Sequence, residues 1–199
     1  MPVSIDNSIM NAEALPTVGQ VLDHVAQSGR IATAMTLDGQ EPDFGDLDAL
    51  RATPTDAHRV QVETADPREM AMDALVAMEQ ALDQADTAKD KAAELLQRNQ
   101  PQAALAQLGA CLGVWQQAQQ CVSQSARLVG IDLDQIDIDG QNVQTMASHF
   151  ATQLREIRRA LEDQDYVALG DVLTYELGET GRNWRSAIVS LSTAVAQAS

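Results

Sequence analysis

Apolar residues recur every three or four positions over most of the chain after residue 66, which is the spacing of one face of an α-helix. The first two stripes consist of Ala71, Leu75, Met78, Leu82, Ala85, Ala92 and Leu96, and then of Leu105, Leu108, Leu112, Trp115, Val122, Ala126 and Val129. The last two consist of Val143, Ala147, Phe150, Leu154, Ile157 and Leu161, and then of Leu173, Leu177, Thr180, Trp184, Ile188, Leu191 and Val195. The pattern predicts four helices, and the short connections within the first pair and within the last pair favour an antiparallel four-helix bundle.

Proline, asparagine and glycine residues set the expected limits of these helices. The first helix is expected to end near Asn99, Pro101 suits the first turn of the second, and Gly130 suits its end. Gly178 and Gly181 lie within the fourth stripe. They predict a weak or bent point there, because each glycine destabilises a helix interior by about 1 kcal/mol.

The first third of the chain has a different pattern, in which short alternating runs predict strands. These runs are residues 3–5, 9–10, 30–37 and 58–63. A short amphipathic helix is predicted between the second and third runs, where Thr17 and Gln20 fit a capping box and Gly29 ends the apolar recurrence. The predicted order is strand, strand, helix, strand, loop, strand.

The two patterns meet at Asp66-Pro67. Asp66 can cap a helix, Pro67 suits the first helical position because its φ is already helical, and Glu69 stands where a capping-box carboxylate reaches back. The sequence therefore predicts an α+β protein with a small β domain over residues 1–66 and a helical bundle over residues 67–199.

The order of elements in the first domain, its Asp38-Gly39 turn, the loop that contains Leu47 and Leu50, and the closing run Val60-Gln61-Val62-Glu63 resemble the β-grasp family. The resemblance is to the small sulfur-carrier proteins that look like ubiquitin, and it implies a β-grasp-like domain. Family members that carry sulfur or are conjugated end in a flexible Gly-Gly whose carboxylate is adenylated. Here the run continues through residues 64–67 into a helix without a diglycine, so we expect a binding or scaffolding role instead of carrier chemistry.

The charge of the chain excludes several classes of partner. The 199 residues include 13 Lys+Arg and 29 Asp+Glu, which gives a formal charge of −16. So acidic a surface repels the phosphates of nucleic acids and anionic lipid headgroups, and neither is expected as a partner. No run approaches the roughly 18 apolar residues of a membrane span, and the first residues lack the basic start of a secretion signal. We therefore expect a cytoplasmic location and no membrane association.

The two cysteines, Cys111 and Cys121, fall within one predicted helix. A separation of ten residues at the helical rise places them about 15 Å apart. Because a disulfide needs Cα atoms within roughly 7 Å, we expect two free thiols in a reducing compartment.

The sequence contains no pattern typical of a catalytic, cofactor or metal site. In the acidic stretch 132–140 the first ligand position of a calcium loop would be Gln135 and the bidentate position Met146, so calcium is not expected. None of the three histidines has a glutamate three positions before it, as di-iron bundles require. Cys-x-x-Cys, Gly-x-Ser-x-Gly and glycine-rich phosphate-binding motifs are also missing. We expect no enzyme and no bound cofactor or metal ion.

Four residues are candidates for contact with another protein. Met72 lies off the apolar stripe of its helix, whereas Met78 lies on it, so Met72 is the better candidate for a surface contact. Arg155, Arg158 and Arg159 form a basic cluster in the acidic helical part and are expected to pair with neighbouring carboxylates.

A second resemblance concerns residues 158–177, with Trp184 shortly after them. They form a polar helix connection, a leucine-rich turn and a tryptophan. This stretch resembles the late helices of small flagellar and type III secretion chaperones, and the resemblance implies binding of an export substrate.

Two functions remain open on the sequence. The first is a non-enzymatic interaction or adaptor protein that binds another protein, with a secretion or motility chaperone as its specific form and with long alanine-rich helices that predict a homodimer. The alternative is a small-ligand or metal-responsive sensor whose site lies between helices or beside the β domain. The acidic stretch and the polar stripe residues Lys89, Gln119 and Thr180 suggest this alternative.

Overall fold

The computed structural model describes residues 2–136, 138 and 140–197. The protein is α+β, with a four-stranded mixed sheet near the N-terminus and a mostly helical remainder. It divides into two compact units, Met1–Met70 and Ala71–Ser199. The boundary at Asp66-Pro67 coincides with the start of the first long helix, and that helix's first turn belongs to the N-terminal unit.

The sheet of the N-terminal unit has the order β2-β1-β4-β3. Its strands are β1 (Val3–Ile5), β2 (Ser8–Met10), β3 (Ile31–Leu37) and β4 (Val60–Ala65). The two central strands, β1 and β4, are parallel, and each pairs with its outer neighbour in the antiparallel sense. A β-bulge interrupts the pairing of β3 with β4 between Ala32 and Ala34. The predicted strands are confirmed.

A two-residue turn closes the predicted hairpin of β1 and β2. Asp6 and Asn7 both adopt positive φ, 48° and 65°, as a tight hairpin turn requires. The Asp6 carboxylate accepts hydrogen bonds from the Thr64 backbone N–H at 2.7 Å and from its hydroxyl at 2.6 Å. These bonds lower the pKa of Asp6 below its ordinary value and attach the turn to β4.

Helix α1 (Val18–Gln27) covers one face of this sheet. As predicted, the Thr17 hydroxyl caps it by accepting from the Gln20 N–H at 3.3 Å, and Gly29 follows with a φ of 74°. The core of the unit consists of Val3, Val18, Val21, Val25, Met35, Leu50, Val60 and Val62. The expectation of a plain loop around Leu50 was wrong. Residues Leu47–Ala52 form a short helix, α2, because the Asp46 carboxylate caps it and Leu50 is buried.

In the described residues five α-helices follow: α3 (Pro67–Gln97), α4 (Pro101–Val129), α5 (Val143–Glu162), α6 (Tyr166–Asp171) and α7 (Leu177–Gln197). The predicted starts at Pro67 and Pro101 are confirmed, and Gly130 ends α4 in the left-handed conformation with a φ of 72°. None of the helices in the described part of the chain is long and apolar enough to cross a membrane.

The centre of the helical unit is built from the predicted stripes. Trp115 and Phe150 are fully buried or nearly so, and their rings meet edge to face with 6.1 Å between centroids. Ile138 is buried in the same core, and the half-buried Ile131 and Ile136 pack against it. Two aspartates of the acidic stretch, 137 and 139, lie outside the described residues. On α5 the predicted Ala147, Leu154 and Leu161 are only half-buried, since Met146 and Ala160 take the inner positions.

The fourth predicted helix is interrupted. Residues Val172–Glu176 form a π-helical turn between α6 and α7. The sequence predicted a weak or bent point at Gly178 and Gly181, but the irregular turn lies before both glycines. The two glycines themselves lie in regular helix, and Gly181 lets the Asp86 carboxylate of α3 come close to the backbone of α7.

This approach forms a charged contact between α3 and α7. The Arg185 guanidinium donates to Asp86 at 2.6 Å and to Asp83 at 2.8 Å. The second carboxylate oxygen of Asp86, Oδ1, lies against Gly181 and is buried without a hydrogen-bond partner. Lys89, also predicted on the stripe, is buried and its ammonium lies 2.8 Å from the Asp90 carboxylate.

Both cysteines are free, as predicted. Cys111 is buried in the core of the helical unit, and burial raises the pKa of its thiol to about 11. Burial also raises the pKa of the half-buried Cys121.

Candidate functional site

A groove of about 630 Å³ lies where the C-terminal end of α3, the connection from α5 to α6, α6 itself and the π-helical turn come together. We call it the tyrosine groove. The lining residues that matter most are Leu96, Gln164, Tyr166, Val167, Asp171 and Tyr175.

The groove brings together apolar and aromatic side chains, some of which also pack against the core of the helical unit. It contains both tyrosines of the sequence. Tyr175 is 73% exposed and Val167 is 77% exposed, while Tyr166 and Leu96 are half-buried. Single exposed apolar residues are ordinary on protein surfaces, but a concave cluster of them is typical of a binding site. Tyrosine suits such a site because it offers an apolar ring and a polar hydroxyl together.

The backbone around the groove has unusual conformations at three places. Asn99, after α3, and Gln164, after α5, are both left-handed, with φ of 58° and 54°. Asn adopts this conformation readily, but Gln seldom does. The third place is the π-helical turn that carries Tyr175, and such turns occur often at functional sites.

The turn between α5 and α6 is nonetheless firmly built. The Asp165 N–H donates to the Ala160 carbonyl at 2.8 Å, which closes the end of α5. The Asp165 carboxylate then accepts from the Ala168 N–H at 3.0 Å and caps α6. These bonds fix the direction of the chain from Gln164 to Val167, so the groove is formed before any partner arrives.

Carboxylates line the groove and continue beyond it. A second cavity, of about 310 Å³, shares Asp165 with the groove, and a third, of about 270 Å³, shares Glu156 and Glu176 with the second. We call the carboxylates along this path the acidic band, which comprises Glu156, Asp163, Asp165, Asp171, Glu176 and Glu179. Arg159 also lines the second cavity and its guanidinium lies 3.7 Å from the Asp163 carboxylate.

Two carboxylates of the band face each other. Burial, and then the hydrogen bond and negative charge of the neighbouring Glu156, raise the pKa of Glu176. Burial is the largest of these causes, and the carboxylate of Glu156 adds an unfavourable negative charge. A positively charged group at this place would relieve it.

The four interaction residues expected from the sequence lie outside the tyrosine groove. Met72 is half-buried and packs against the core of the helical unit, which leaves little of it for a partner. Arg158 pairs with Glu162 at 2.8 Å. Arg155 donates to the Ala151 carbonyl and to the Thr152 hydroxyl. Of the four, Arg159 lines one of the cavities described above.

Sequence reasoning missed Tyr175 and Val167. Both are large apolar or aromatic residues near the fourth stripe, but neither falls on the helical recurrence that contains Leu173 and Leu177. That position off the stripe is the signal that could have identified them. Large apolar residues that a helix does not direct into its core remain for other uses.

Metal ligation finds no support in the described residues, where no group of three His, Cys, Asp or Glu side chains is arranged to hold a metal ion. His149 lies on α5, is exposed and lines the third cavity.

Comparison with known protein families shows that the tyrosine groove lies in the part of the chain that matches a family model. Residues 73–187 match the model of a family described as a domain of unknown function, DUF8042, and this is more than half of the 199 residues. The chain belongs to this family. The tyrosine groove and the whole acidic band lie within the DUF8042 match, whereas the β-sheet unit lies outside it. No curated protein and no solved structure matches the chain.

Proposed function

We propose that this chain is a non-enzymatic protein-interaction protein and that a partner protein binds in the tyrosine groove. The observation that carries the proposal is the concave exposure of Tyr175 and Val167 within the DUF8042 match. Both side chains lie beside half-buried apolar neighbours, so a partner side chain placed between them loses contact with water on several sides.

The energy available at the groove is sufficient for an interaction site. Complete burial of one valine-sized or larger apolar side chain contributes about 1.5–3 kcal/mol. Interfaces take most of their binding energy from a few such anchors, among which tyrosine is enriched. Two exposed anchors in a preformed groove therefore support a specific interaction.

A chaperone of secretion or motility is the specific form of this proposal. The stretch 158–177 that resembles the late helices of such chaperones contains most of the tyrosine groove. The test of this form is whether the protein keeps an export substrate soluble and whether Tyr175→Ala abolishes that effect.

The N-terminal unit supports an adaptor arrangement. We propose that it is a β-grasp-like domain, because its order β2-β1-β4-β3 with a parallel central pair and a covering helix fits the resemblance seen in the sequence. Its outer strand β3 exposes Ala32, Thr33 and Ala34 and could accept an added strand. The antiparallel four-helix bundle, the homodimer and the cytoplasmic location remain proposals of the same kind.

Site-specific photo-crosslinking tests the docking proposal. A photoreactive amino acid replaces Tyr175 or Val167 in the full chain, expressed in cells of the source organism. Matched controls carry it at Val76 or Val189, which are also exposed in the helical unit. We expect a discrete protein adduct from the two groove positions and not from the controls. Equal adducts at all four positions, or none at the groove, would refute the proposal.

A small-ligand sensor is the second candidate, and the third cavity favours it. This cavity of about 270 Å³ lies beside the buried Trp184 and contains Gln153 and Thr180, whose hydroxyl donates to the Gln153 side-chain oxygen. A thermal shift across a panel of metabolites and metal ions that is lost in Thr180→Val would support this function. No shift across the panel would remove it.

A further inference from the structure

We propose that the segment which binds the tyrosine groove is a basic segment of another protein, with an apolar side chain against Tyr175 and Val167 and with Lys or Arg side chains along the acidic band. The inference rests on the docking function proposed above and adds the chemistry of the partner.

The first argument is continuity. The groove and the two smaller cavities share lining residues, Asp165 at one step and Glu156 with Glu176 at the next. A segment that enters at the apolar end therefore meets carboxylates as it continues. Asp171 lies within the groove itself, beside the exposed apolar side chains.

The second argument concerns ion pairing of the carboxylates in the acidic band. Among the ion pairs of the described residues, none involves Glu156, Asp165, Asp171, Glu176 or Glu179. Arg159, which lines the second cavity, pairs with Asp163 of the band, and its neighbour Arg158 pairs with Glu162 outside it. Burial first, and then the neighbouring Glu156 carboxylate, raise the pKa of Glu176. An incoming Lys or Arg would supply the missing partner.

The third argument is exclusion of other occupants. Nucleic acids and anionic membranes present phosphates, which this band repels. A second copy of the chain carries the same formal charge of −16 and is disfavoured at this acidic surface, so the proposed homodimer would form through another surface. A basic polypeptide segment is attracted by the same field, and that attraction also accelerates association at low salt.

The probe for this inference is a short amphipathic peptide of leucine and lysine with a fluorescent label, together with a twin in which every lysine is glutamate. Binding to the full chain is measured by fluorescence anisotropy at several salt concentrations. The variants Asp171→Asn and Glu176→Gln each remove one charge of the band. Asp73→Asn and Glu79→Gln are the matched controls, since both residues are exposed on α3 away from the groove.

We expect the lysine peptide to bind with an affinity that falls as salt rises, and the glutamate twin not to bind. Exposed charge pairs of this kind predict a loss of up to about fivefold in affinity for each band variant. Tyr175→Ala should weaken binding further, while the controls leave it unchanged. Equal binding of the twin, or equal losses in band and control variants, would overturn the inference.

The crosslinking experiment separates this inference from the docking proposal. If the groove positions give an adduct, mass spectrometry of the crosslinked peptide gives the sequence of the partner segment, and its basic and acidic residues can then be counted. A neutral or acidic segment would overturn the inference while docking at the groove stands. Absence of any adduct would instead refute the docking proposal itself.

Discussion

The contact between Gly181 of α7 and Asp86 of α3 makes a sharp prediction for two glycine substitutions. A Cβ added at Gly181 would lie 2.9 Å from Asp86 Oδ1, closer than such atoms approach in proteins. Asp86 cannot move away freely, because its other oxygen accepts from Arg185 at 2.6 Å. A Cβ added at Gly178 would have the Lys89 ammonium as its nearest neighbour at 3.6 Å, which is ordinary contact.

The two substitutions should therefore change the free energy of unfolding in opposite directions. Replacing glycine by alanine inside a helix stabilises it by about 1 kcal/mol, and Gly178→Ala should retain most of this gain. Gly181→Ala gains the same amount but displaces Asp86 from Arg185. A hydrogen bond between charged groups contributes about 1.5–3 kcal/mol, so the net effect is a loss of roughly 0.5–2 kcal/mol.

Urea unfolding followed by far-ultraviolet circular dichroism measures these changes, since the helical unit dominates the signal. The two variants should differ by about 1.5–3 kcal/mol, the same range as the broken hydrogen bond. The control is Gly181→Ala in an Asp86→Ala background, where no carboxylate remains to be displaced and the substitution should become stabilising. If both glycine variants stabilise equally, or if the penalty persists without Asp86, the reasoning from this contact is wrong.

Three further predictions concern the core, the thiols and the hairpin turn. Phe150→Ala should lower the free energy of unfolding by about 3–5 kcal/mol, measured by urea unfolding, because it removes a buried ring that packs edge-on against tryptophan. In the native protein at neutral pH, a thiol reagent should modify Cys121 slowly and Cys111 more slowly still, and both should react at once in denaturant. The lowered pKa of Asp6 means that its contribution to stability is present above the ordinary carboxyl pKa of 3.8 and is lost as pH falls through the folded value. Asp6→Asn should therefore make the stability of the N-terminal unit depend less steeply on pH in the acid range. The nuclear magnetic resonance signal of Thr64, recorded as pH is lowered, measures this unfolding.

Local chemistry made much of the fold predictable. Thr17 caps α1, Pro67 and Pro101 start helices, and Gly130 ends one, because each of these residues acts on the backbone within one turn of itself. The alternating strands were predictable for the same reason. Their pairing order was not contained in any local pattern, since β1 and β4 meet only through contacts that span the whole unit.

The candidate site was not predictable in the same way. Periodicity identifies the residues that face a core, and Leu173 and Leu177 were found by it. It does not indicate where the remaining side chains gather. Tyr175 lines the groove from a π-helical turn, and Gln164 lines it in a backbone conformation that glutamine rarely adopts. Both features depend on packing between segments distant in sequence.

The parallel pairing of β1 with β4 has a consequence for synthesis of the protein on the ribosome. Val3 pairs with Val60, so β1 must wait for β4, which is the last strand of the unit to be made. Until then β1–β2 is the one strand pair of this sheet that can form, and a lone hairpin is at best marginally stable in water. The N-terminal unit therefore completes its fold only when α3 is already being made, and any pause in translation before residue 60 would leave an unpaired strand exposed to other nascent chains.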